Sequence, residues 1–431
     1  MIFKQQSEVL PNLDTQEMQY CQYNHKKPTS KTAENSLHIL LVTETWLPDI
    51  NGVAMSLNNI MNALVKMGHK ISLIRPKAKS VPTSSDHNKT QQHRTANVPL
   101  QNDIEVKGIP IPRYKELQLG VASSKQIKKI LAKIKPDIVH IATEGPLGLS
   151  ALKAAKKCNL PVTTGYHTQF HDFSKHLGMG IIASPLMAYF KYLHNASLAT
   201  CVPSPKTQDD LTKLGFKRIY QVGRGVDTTG FNPNKSSDAL RKQWGVASQD
   251  TVLVMVSRLS PEKGVDIVIK GFNKLQRQQL HRGAKLVIVG DGPDTTRLKT
   301  MAKGNDDIIF AGMQRGEDLA KHYASGDVFV FASQVETFGN VVTEAMASGL
   351  GVYAFDDAAA GMLVDDSCGG LVAVNQTDDF IKMVTNLPKL QKLRQQGEQA
   401  RKKVEQLSWG HPAKQMLTMF NDAIKYNSAI N

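Results

Sequence analysis

The sequence contains little cysteine and lacks a long apolar run. Four cysteines, Cys21, Cys158, Cys201 and Cys368, lie far apart. This spacing predicts neither a disulfide framework nor a zinc site of paired cysteines, and it favours a reducing, cytoplasmic compartment. The first 36 residues hold no continuous apolar segment typical of a secretory signal, and no later stretch is long enough to span a membrane. We therefore expect a cytoplasmic protein that is soluble or peripheral to a membrane.

Several patterns that bind cofactors, metals or nucleic acids are missing as well. The motif G-x-G-x-x-G is absent, which disfavours nicotinamide-cofactor chemistry, and the sequence contains no P-loop. No Asp-x-Asp pair occurs, so the simplest two-carboxylate cradle for a divalent cation that bridges phosphates is lacking. Aromatic residues make up only 6% of the chain, and no module that interleaves them with lysines is visible. We expect no cofactor, no metal and no nucleic-acid partner.

What the chain has in excess is positive charge. It carries 53 lysines and arginines against 38 aspartates and glutamates, a net charge of +15. Taken alone, such a charge indicates an anionic partner, whether a nucleotide, a nucleic acid or a membrane surface, without choosing among them. The segment SSKQIKKILAKIKPD predicts an amphipathic helix. Its lysine-rich face either lies on anionic lipid at the inner face of the cell membrane or is simply solvated.

Short apolar runs alternate with helical segments along most of the chain, whose 431 residues suffice for two domains. Residues 1–36 are polar and predict a disordered extension. Runs from LHILLVTE to IYQVG predict a first domain at 37–232, interrupted by a polar loop from Lys77 to Asn102. Five further runs after FNPNKSS predict a second domain at 240–405. We expect an α/β fold of two Rossmann-like, doubly wound domains that face each other across a ligand cleft.

The most informative stretch is SQVETFGNVVTEAMASG. It joins a predicted buried strand, VFVFAS, to a predicted helix capped by Gly339 or Asn340, so Glu336 falls in the loop and Glu344 in the second helical turn. The carboxylates can accept hydrogen bonds from ligand hydroxyls, and backbone N–H groups around Phe338 can hold phosphate or ring oxygens. The alternative is that both glutamates are solvated charges without a ligand.

A second motif, SRLSPEKG, follows another predicted strand. Ser260 and Pro261 are typical of a helix start, which places Lys263 in the first helical turn. Because a lysine there opposes the helix dipole, its presence beside Arg258 is best explained by an anion that both cations share, such as a diphosphate. The alternative is an exposed lysine tolerated at small cost, which leaves Arg258 unexplained.

Other candidates lie at further predicted strand ends. Gly290, in VIVGDGPD, lies in a turn that either approaches a ligand closely or has no ligand role. His167 and His171 have the spacing of H-x-x-x-H, but Thr168 replaces the glutamate base of metalloproteases, so a zinc site is disfavoured. His167 either faces the cleft and hydrogen-bonds a reacting sugar or is a buried structural histidine. Glu144, in ATEGPLG, either meets an acceptor or caps the following helix.

Seven motifs occur in a recognisable order: NGV, TEGPLG, GYHTQFH, VGRGVD, SRLSPEKG, VGDGP and ETFGNVVTEAMASG. Together they resemble the retaining glycosyltransferases of family 4, which have the GT-B fold, and the resemblance runs from Leu37 to the C-terminal helices. The chain is especially similar to GDP-mannose-dependent α-mannosyltransferases and related glycolipid glycosyltransferases. This implies transfer of a hexose, with mannose from GDP-mannose expected, to a lipid or glycan acceptor. The alternatives are a UDP-glucose or other UDP-sugar donor, or a non-catalytic nucleotide-sugar-binding protein.

The resemblance also implies roles for single residues. Arg258 and Lys263 would neutralise the donor diphosphate, Glu344 would bind the ribose hydroxyls, and Glu336 would hold the transferred sugar. His167 would contact the sugar near the reaction centre, so it joins Arg258, Lys263 and Glu336 as a catalytic candidate. The further donor-side candidates are Gly52, Gly290, Met313 and the backbone of Phe338, Gly339 and Asn340, and the acceptor-side candidates are Glu144, His171 and Arg224.

The resemblance implies a mechanism and one feature of the architecture as well. Relatives need no metal and retain the anomeric configuration by a front-side exchange, in which the leaving diphosphate takes the acceptor proton and no protein nucleophile acts. A helix after Trp409, at about 410–427, would pack back on the first domain. The segment AFDDAAAGMLVDDSCGG departs from the Gly/Pro-containing turn of many relatives. Asp356 and Asp357 are therefore expected to alter donor-side contacts, which leaves the donor open.

Overall fold

The structure, a computed structural model, describes residues 36–49, 51–77, 98–111, 114–167, 183–278, 281 and 283–430. The expected extension at 1–36, apart from Ser36, and most of the loop from Lys77 to Asn102 lie outside the described residues. The chain from Leu37 onward forms one unit built on two sheets.

The first sheet consists of β1 (His38–Val42), β2 (Lys70–Pro76), β3 (Asn102–Ile111), β4 (Tyr114–Val121), β5 (Ile138–Ile141), β6 (Val162–Gly165), β7 (Ala199–Val202) and β8 (Ile219–Gln221). Their order across the sheet is β4-β3-β2-β1-β5-β6-β7-β8. Neighbouring strands pair in parallel except for β3 and β4, which form an antiparallel pair. The sequence did not predict this pair, because most side chains of β3 are exposed and the apolar pattern is weak.

The described residues of this domain form five helices: α1 (Gly52–Lys66), α2 (Ser124–Ile134), α3 (Pro146–Lys157), α4 (Ala183–Asn195) and α5 (Pro205–Lys213). The side chains of β1 alternate between two apolar clusters. Ile39 and Leu41 pack with Leu57 of α1, whereas Leu40 and Val42 pack with Ile127 of α2. Both faces of the sheet are therefore covered, as expected for parallel strands made of continuous apolar runs.

The second sheet consists of β9 (Val252–Val256), β10 (Lys285–Val289), β11 (Ile308–Gly312), β12 (Val328–Phe331), β13 (Gly351–Phe355) and β14 (Gly369–Val372). All neighbouring strands are parallel, in the order β11-β10-β9-β12-β13-β14. The sequence predicted five strands and missed β14, whose four residues include two glycines. Gly369 is required there, because a β-carbon would lie 1.8 Å from the Val352 carbonyl oxygen.

Nine helices complete the described chain: α6 (Asp238–Gln243), α7 (Val265–Leu275), α8 (Thr295–Met301), α9 (Gly316–Ala324), α10 (Asn340–Ala347), α11 (Ala358–Leu363), α12 (Thr377–Thr385), α13 (Leu390–Val404) and α14 (Gly410–Ile430). The last of them, α14, packs against α1, and its Met416 and Phe420 are buried in the same cluster as Ile39 and Leu57. The chain therefore ends on the first domain.

The chain leaves the first domain and returns to it at adjacent points. The backbone N–H of Val226 donates to the carbonyl of Leu407 at 2.8 Å. Gly225 lies against the returning backbone, since a β-carbon there would be 2.6 Å from the nitrogen of Trp409. The two crossings between the domains are thus joined by a backbone hydrogen bond.

The prediction that Lys263 lies in the first turn of the α-helix is wrong. Lys263 ends a 3₁₀ turn, Pro261–Lys263, and the α-helix begins only at Val265. Gly264 separates the two in the left-handed conformation with φ of 62°, and a β-carbon there would lie 2.2 Å from the carbonyl oxygen of Ala332. The glycine lets the chain turn tightly against the end of β12.

Candidate active site

Each sheet has a topological switch point, where the chain connections leave in opposite directions. In the second sheet this point lies between β9 and β12, which are neighbours although they are not consecutive in the chain. In the first sheet it lies between β1 and β5. Open α/β sheets bind ligands at the carboxyl ends of the strands at such points. The candidate residues fall into two groups, one near the carboxyl edge of each sheet.

Lys263 and Glu336 form the centre of the second-domain group. Lys263 Nζ donates to Glu336 Oε1 at 2.6 Å, and Ser333 Oγ donates to the same oxygen at 2.9 Å. Lys263 follows β9 and Glu336 follows β12, so residues 73 positions apart meet at the switch point. Their side chains are 19% and 17% exposed and so remain accessible to a ligand. Arg258 also follows β9 and is exposed.

The loop after β12 continues into α10 at the boundary between the domains. Gly339 caps α10 in the left-handed conformation with φ of 84°, and the preceding Phe338 is buried. Asn340 Nδ2 donates to Ser56 Oγ of α1 at 3.1 Å. A β-carbon on Gly52, the first residue of α1, would lie 3.9 Å from the same amide nitrogen. The starts of α10 and α1 therefore meet at the boundary between the domains, which brings the donor-side candidates Gly52 and Asn340 together.

Glu344 lies in the second turn of α10 and is partly buried. Its Oε2 accepts a hydrogen bond from the hydroxyl of Tyr323 at 3.1 Å. Burial raises the pKa of Glu344 to about 7, and the hydrogen bond from Tyr323 opposes the rise. Glu344 therefore changes its charge near neutral pH.

Gly290 and Met313 lie at the ends of neighbouring strands. Gly290 follows β10 with φ of 135°, and a β-carbon there would be 1.9 Å from the carbonyl oxygen of Ser257. The glycine thus permits a close approach between the ends of β10 and β9. Met313 follows β11 and is 51% exposed, so its side chain is available at the carboxyl edge of the sheet.

Asp357, in the segment that departs from the family pattern, contacts the first domain. Lys206 Nζ in the first turn of α5 donates to Asp357 Oδ1 at 2.5 Å. The aspartate side chain is 9% exposed and the lysine side chain 61%. Together with the bond between Asn340 and Ser56, this ion pair gives the two domains a second polar contact.

The first-domain group has a different character, because its members are buried. Arg224 Nη2 donates to His167 Nδ1 at 2.9 Å, and both side chains are buried. Glu144 is buried as well, and its Oε1 lies 3.5 Å from His194 Nε2. His171 lies outside the described residues.

Sequence reasoning missed Glu44, which follows β1 at the switch point of the first sheet. Glu44 Oε1 accepts from the backbone N–H of Leu147 at the start of α3 at 3.2 Å, the capping role considered for Glu144. Gly145 makes room for it, since a β-carbon there would be 1.8 Å from Glu44 Oε2. Burial raises the pKa of Glu44 to about 7, and the nearby Glu144 adds to the rise. The available signal was the glutamate that ends the run LHILLVTE, just after its buried apolar residues.

Comparison with known proteins agrees with this arrangement of two sheets. The profile described as Glycosyltransferase Family 4 matches residues 50–229, and that described as Glycosyl transferases group 1 matches residues 236–404. A GDP-mannose-dependent alpha-mannosyltransferase of Mycobacterium tuberculosis is 32% identical over 339 residues, which cover 78% of this chain and 83% of the relative. An alpha-monoglucosyldiacylglycerol synthase of Streptococcus pneumoniae is 27% identical over 353 residues, which cover 79% of this chain and 76% of the relative.

Solved structures establish the fold. Sucrose-phosphate synthase from Thermosynechococcus elongatus matches with a TM-score of 0.71 and 18% identity, over 90% of this chain and 100% of that one. The expected GT-B fold is thereby confirmed. The relatives are named as a transferase and a synthase, which supports an enzyme over a non-catalytic binding protein. The chain therefore belongs to family 4 of the glycosyltransferases, and it is a hexosyltransferase that uses a nucleotide sugar.

Proposed function

We propose that the enzyme transfers mannose from GDP-mannose to a lipid or glycan acceptor, with retention of the anomeric configuration and without a metal ion. The name of the mycobacterial relative supports GDP-mannose as the donor. A UDP-sugar, such as UDP-glucose, is the second candidate, because the pneumococcal relative is named for a glucosylated lipid.

The observation that carries the proposal is the pair of Lys263 and Glu336 at the carboxyl edge of the second sheet. The pair lies at the switch point of the second sheet and combines an accessible cation with an accessible carboxylate. A nucleotide sugar offers complementary chemistry, since its diphosphate is an anion and its sugar hydroxyls donate hydrogen bonds. Lys263, with Arg258 at the same strand end, would bind the diphosphate, and Glu336 would accept from a sugar hydroxyl.

The proposed exchange takes place on one face of the sugar. The bond between the anomeric carbon and the phosphate oxygen breaks while the acceptor oxygen forms its bond from the same side. The acceptor proton passes to the departing phosphate oxygen, so a protein base is not required. Negative charge grows on the diphosphate as its bond breaks, and Lys263 and Arg258 would stabilise that charge more strongly in the transition state than in the ground state.

The pKa of Glu344 leads to a prediction on donor binding. The ribose hydroxyls would donate to the Glu344 carboxylate, and the raised pKa means that a proton must leave before that contact forms. We expect the dissociation constant of GDP-mannose to rise about tenfold from pH 8 to pH 6, measured by calorimetry. Glu344→Gln should bind more weakly and show little dependence on pH. An equal dependence in this variant would assign the titration to another group, such as Glu44.

A membrane surface is the second proposed partner. No helix in the described part of the chain is both long and apolar enough to cross a bilayer. The apolar residues Ile127 and Leu131 of α2 are buried, whereas Lys125, Lys128 and Lys129 are exposed. Contact of α2 with anionic lipid would therefore rest on charge rather than on insertion of the apolar side, and it should weaken as salt concentration rises.

A panel of donors and acceptor surfaces tests the proposal. The purified enzyme is incubated with GDP-mannose, GDP-glucose and UDP-glucose, with and without EDTA, and the released nucleotide is measured. Lipid acceptors are presented in neutral and in anionic vesicles, and NMR of the product gives the anomeric configuration. We expect GDP-mannose to react fastest, EDTA to have no effect, an α-linked product and faster transfer on anionic vesicles at low salt. Preference for UDP-glucose, loss of activity in EDTA or a β-linked product would each overturn the corresponding part.

A further inference from the structure

A buried polar cluster lies in the first domain, apart from the pair of Lys263 and Glu336. His140 on β5, His167 after β6 and Cys201 on β7 are all buried, and one potential ligand atom from each lies within 4.8 Å of the others. These are side chains typical of a metal site. Arg224, after β8, contacts the same cluster, and its hydrogen bonding indicates a different role.

The contact between Arg224 and His167 determines which ring nitrogen carries the proton. Arg224 Nη2 lies 2.9 Å from His167 Nδ1. A guanidinium group offers only N–H donors, so Nδ1 must be the acceptor. Burial lowers the pKa of Arg224 only to about 10, and the group keeps its charge at neutral pH. The single proton of the neutral imidazole is therefore on Nε2.

The surroundings also keep the ring neutral. Burial, followed by the charge of Arg224 and smaller effects of His140 and His194, lowers the pKa of His167 well below its ordinary value. The thiol of Cys201 stays protonated, because burial raises its pKa to about 12. A neighbouring carboxylate would favour the imidazolium form, but none of these neighbours, among the residues that the structure describes, is a carboxylate.

These properties disfavour a metal ion in the cluster. His167 would have to lose the Nε2 proton or release Nδ1 from Arg224 before it could act as a ligand. Cys201 would have to lose a proton that burial holds, and the new cation would lie close to the guanidinium charge. The cluster is better explained as an arrangement that fixes the tautomer and the neutral charge of the His167 imidazole.

One polar atom of His167 is left over. Nε2 is buried and has no hydrogen-bond partner in the described part of the chain. A buried donor without an acceptor is costly, so this N–H needs an acceptor that the described residues do not supply. We propose that Arg224 is a positioning residue, and that it holds His167, the histidine that the family resemblance places beside the transferred sugar, as the neutral Nε2–H tautomer. This inference rests on the proposed function and deepens it.

The proposal changes the expected roles of two residues. Arg224 was expected to contact the acceptor, but its guanidinium group is directed to His167 and to the carbonyl oxygens of Val222 and Gly223. His167 cannot act as a base through Nδ1, because that nitrogen accepts from Arg224. This agrees with an exchange in which the diphosphate takes the acceptor proton. Gly165 leaves space for the ring, since a β-carbon there would be 2.5 Å from His167 Nε2.

The wild-type enzyme provides the first test. Long-range ¹H–¹⁵N NMR spectra distinguish the two neutral tautomers and the imidazolium form, and a His167→Gln spectrum identifies the His167 signals among the 13 histidines. We expect the Nε2–H tautomer and no titration of His167 between about pH 6 and pH 8, roughly one unit on either side of neutrality. An Nδ1–H tautomer, or titration of His167 in this range, would overturn the proposal.

Variants of Arg224 provide the second test. In Arg224→Met the ring loses its fixed donor, so the NMR signals should show mixed tautomers and a raised pKa. The kcat at saturating donor should fall about 10- to 100-fold and decline further at acid pH, while the KM for the donor changes little. Arg224→Lys keeps a cationic donor and should recover part of both effects. If kcat falls while the tautomer of His167 stays the same, Arg224 has only a structural role and the proposal is contradicted.

Arg218→Lys is the matched control. Arg218 lies in the first domain as well, directly before β8, but it is exposed and donates to the carbonyl oxygens of Asn195 and Ser197. Its replacement should leave kcat and the state of His167 unchanged. The wild-type spectrum requires no turnover, so it gives the tautomer of His167 even if the enzyme is inactive with GDP-mannose. Failure of the proposed donor can therefore be distinguished from failure of this inference. The wild-type spectrum also decides the tautomer if Arg224→Met does not fold.

Discussion

Lys263→Ala should lower kcat about 1,000-fold with little effect on folding. Lys263 is the accessible cation at the switch point of the second sheet, and in the proposed exchange its ammonium group faces the diphosphate as negative charge grows there. Its removal withdraws stabilisation that increases toward the transition state, so kcat should fall more than donor affinity. Single-turnover kinetics with GDP-mannose would separate the two quantities.

Lys235→Ala is the control for this variant. Lys235 Nζ also forms an ion pair with a glutamate of the second domain, Glu317, at 2.9 Å. Its removal should change kcat by less than about twofold, as is usual for a surface ion pair away from the reacting groups. Kinetics of Lys263→Ala that match the wild type would refute the assignment of the diphosphate to this lysine.

Glu336→Gln should lower kcat about 100-fold. The carboxylate accepts from Lys263 Nζ and Ser333 Oγ through one oxygen, Oε1, which leaves Oε2 for a sugar hydroxyl. The amide has nearly the same size but no charge, so it holds both Lys263 and the sugar less firmly. Since Glu336 is not proposed as a nucleophile, the slow residual reaction should give the same anomer, as product NMR would show. Complete loss of transfer, with a sugar covalently bound to the wild-type residue, would contradict this view.

The comparable pair of Lys235 and Glu317 again serves as a control. Glu317→Gln should leave kcat nearly unchanged, because this ion pair is separate from that of Lys263 and Glu336. In the double variant Lys263→Ala/Glu336→Gln, the losses should be less than multiplicative, since the two side chains contact each other and act on one ligand. Independent, multiplicative losses would argue that the ion pair does not work as a unit.

Much of the fold follows from short-range patterns. VFVFAS and TVLVMVSRL are continuous apolar runs, and such runs become β12 and β9 because parallel strands are buried on both faces. The alternation of strands and helices also predicts that both loops open at one edge of the sheet. The order of strands and helices therefore predicts that Lys263 and Glu336 lie at the same edge of the sheet, but it does not predict their direct ion pair.

Other features depend on contacts that sequence patterns do not encode. The α-helix predicted from Ser260 and Pro261 is interrupted at Gly264. The backbone at Ala332 leaves no space there for a side chain, and this constraint comes from tertiary packing. Arg224 meets His167 because β6, β7 and β8 are successive neighbours in the first sheet. Neither the tautomer of the histidine nor the burial of the arginine has a local signature. Glu44 was overlooked because its partner at Leu147 is 103 residues away.

The backbone hydrogen bond between Val226 and Leu407 bears on how this enzyme can be recombined with its relatives. Since the chain crosses between domains twice at bonded positions, the second domain is an insertion within the first rather than its successor. A chimera that exchanges donor preference should therefore carry the segment between these two residues as one cassette, with both junctions replaced together. A single junction would instead pair α14 of one parent with α1 of the other, and their shared apolar cluster would have to repack.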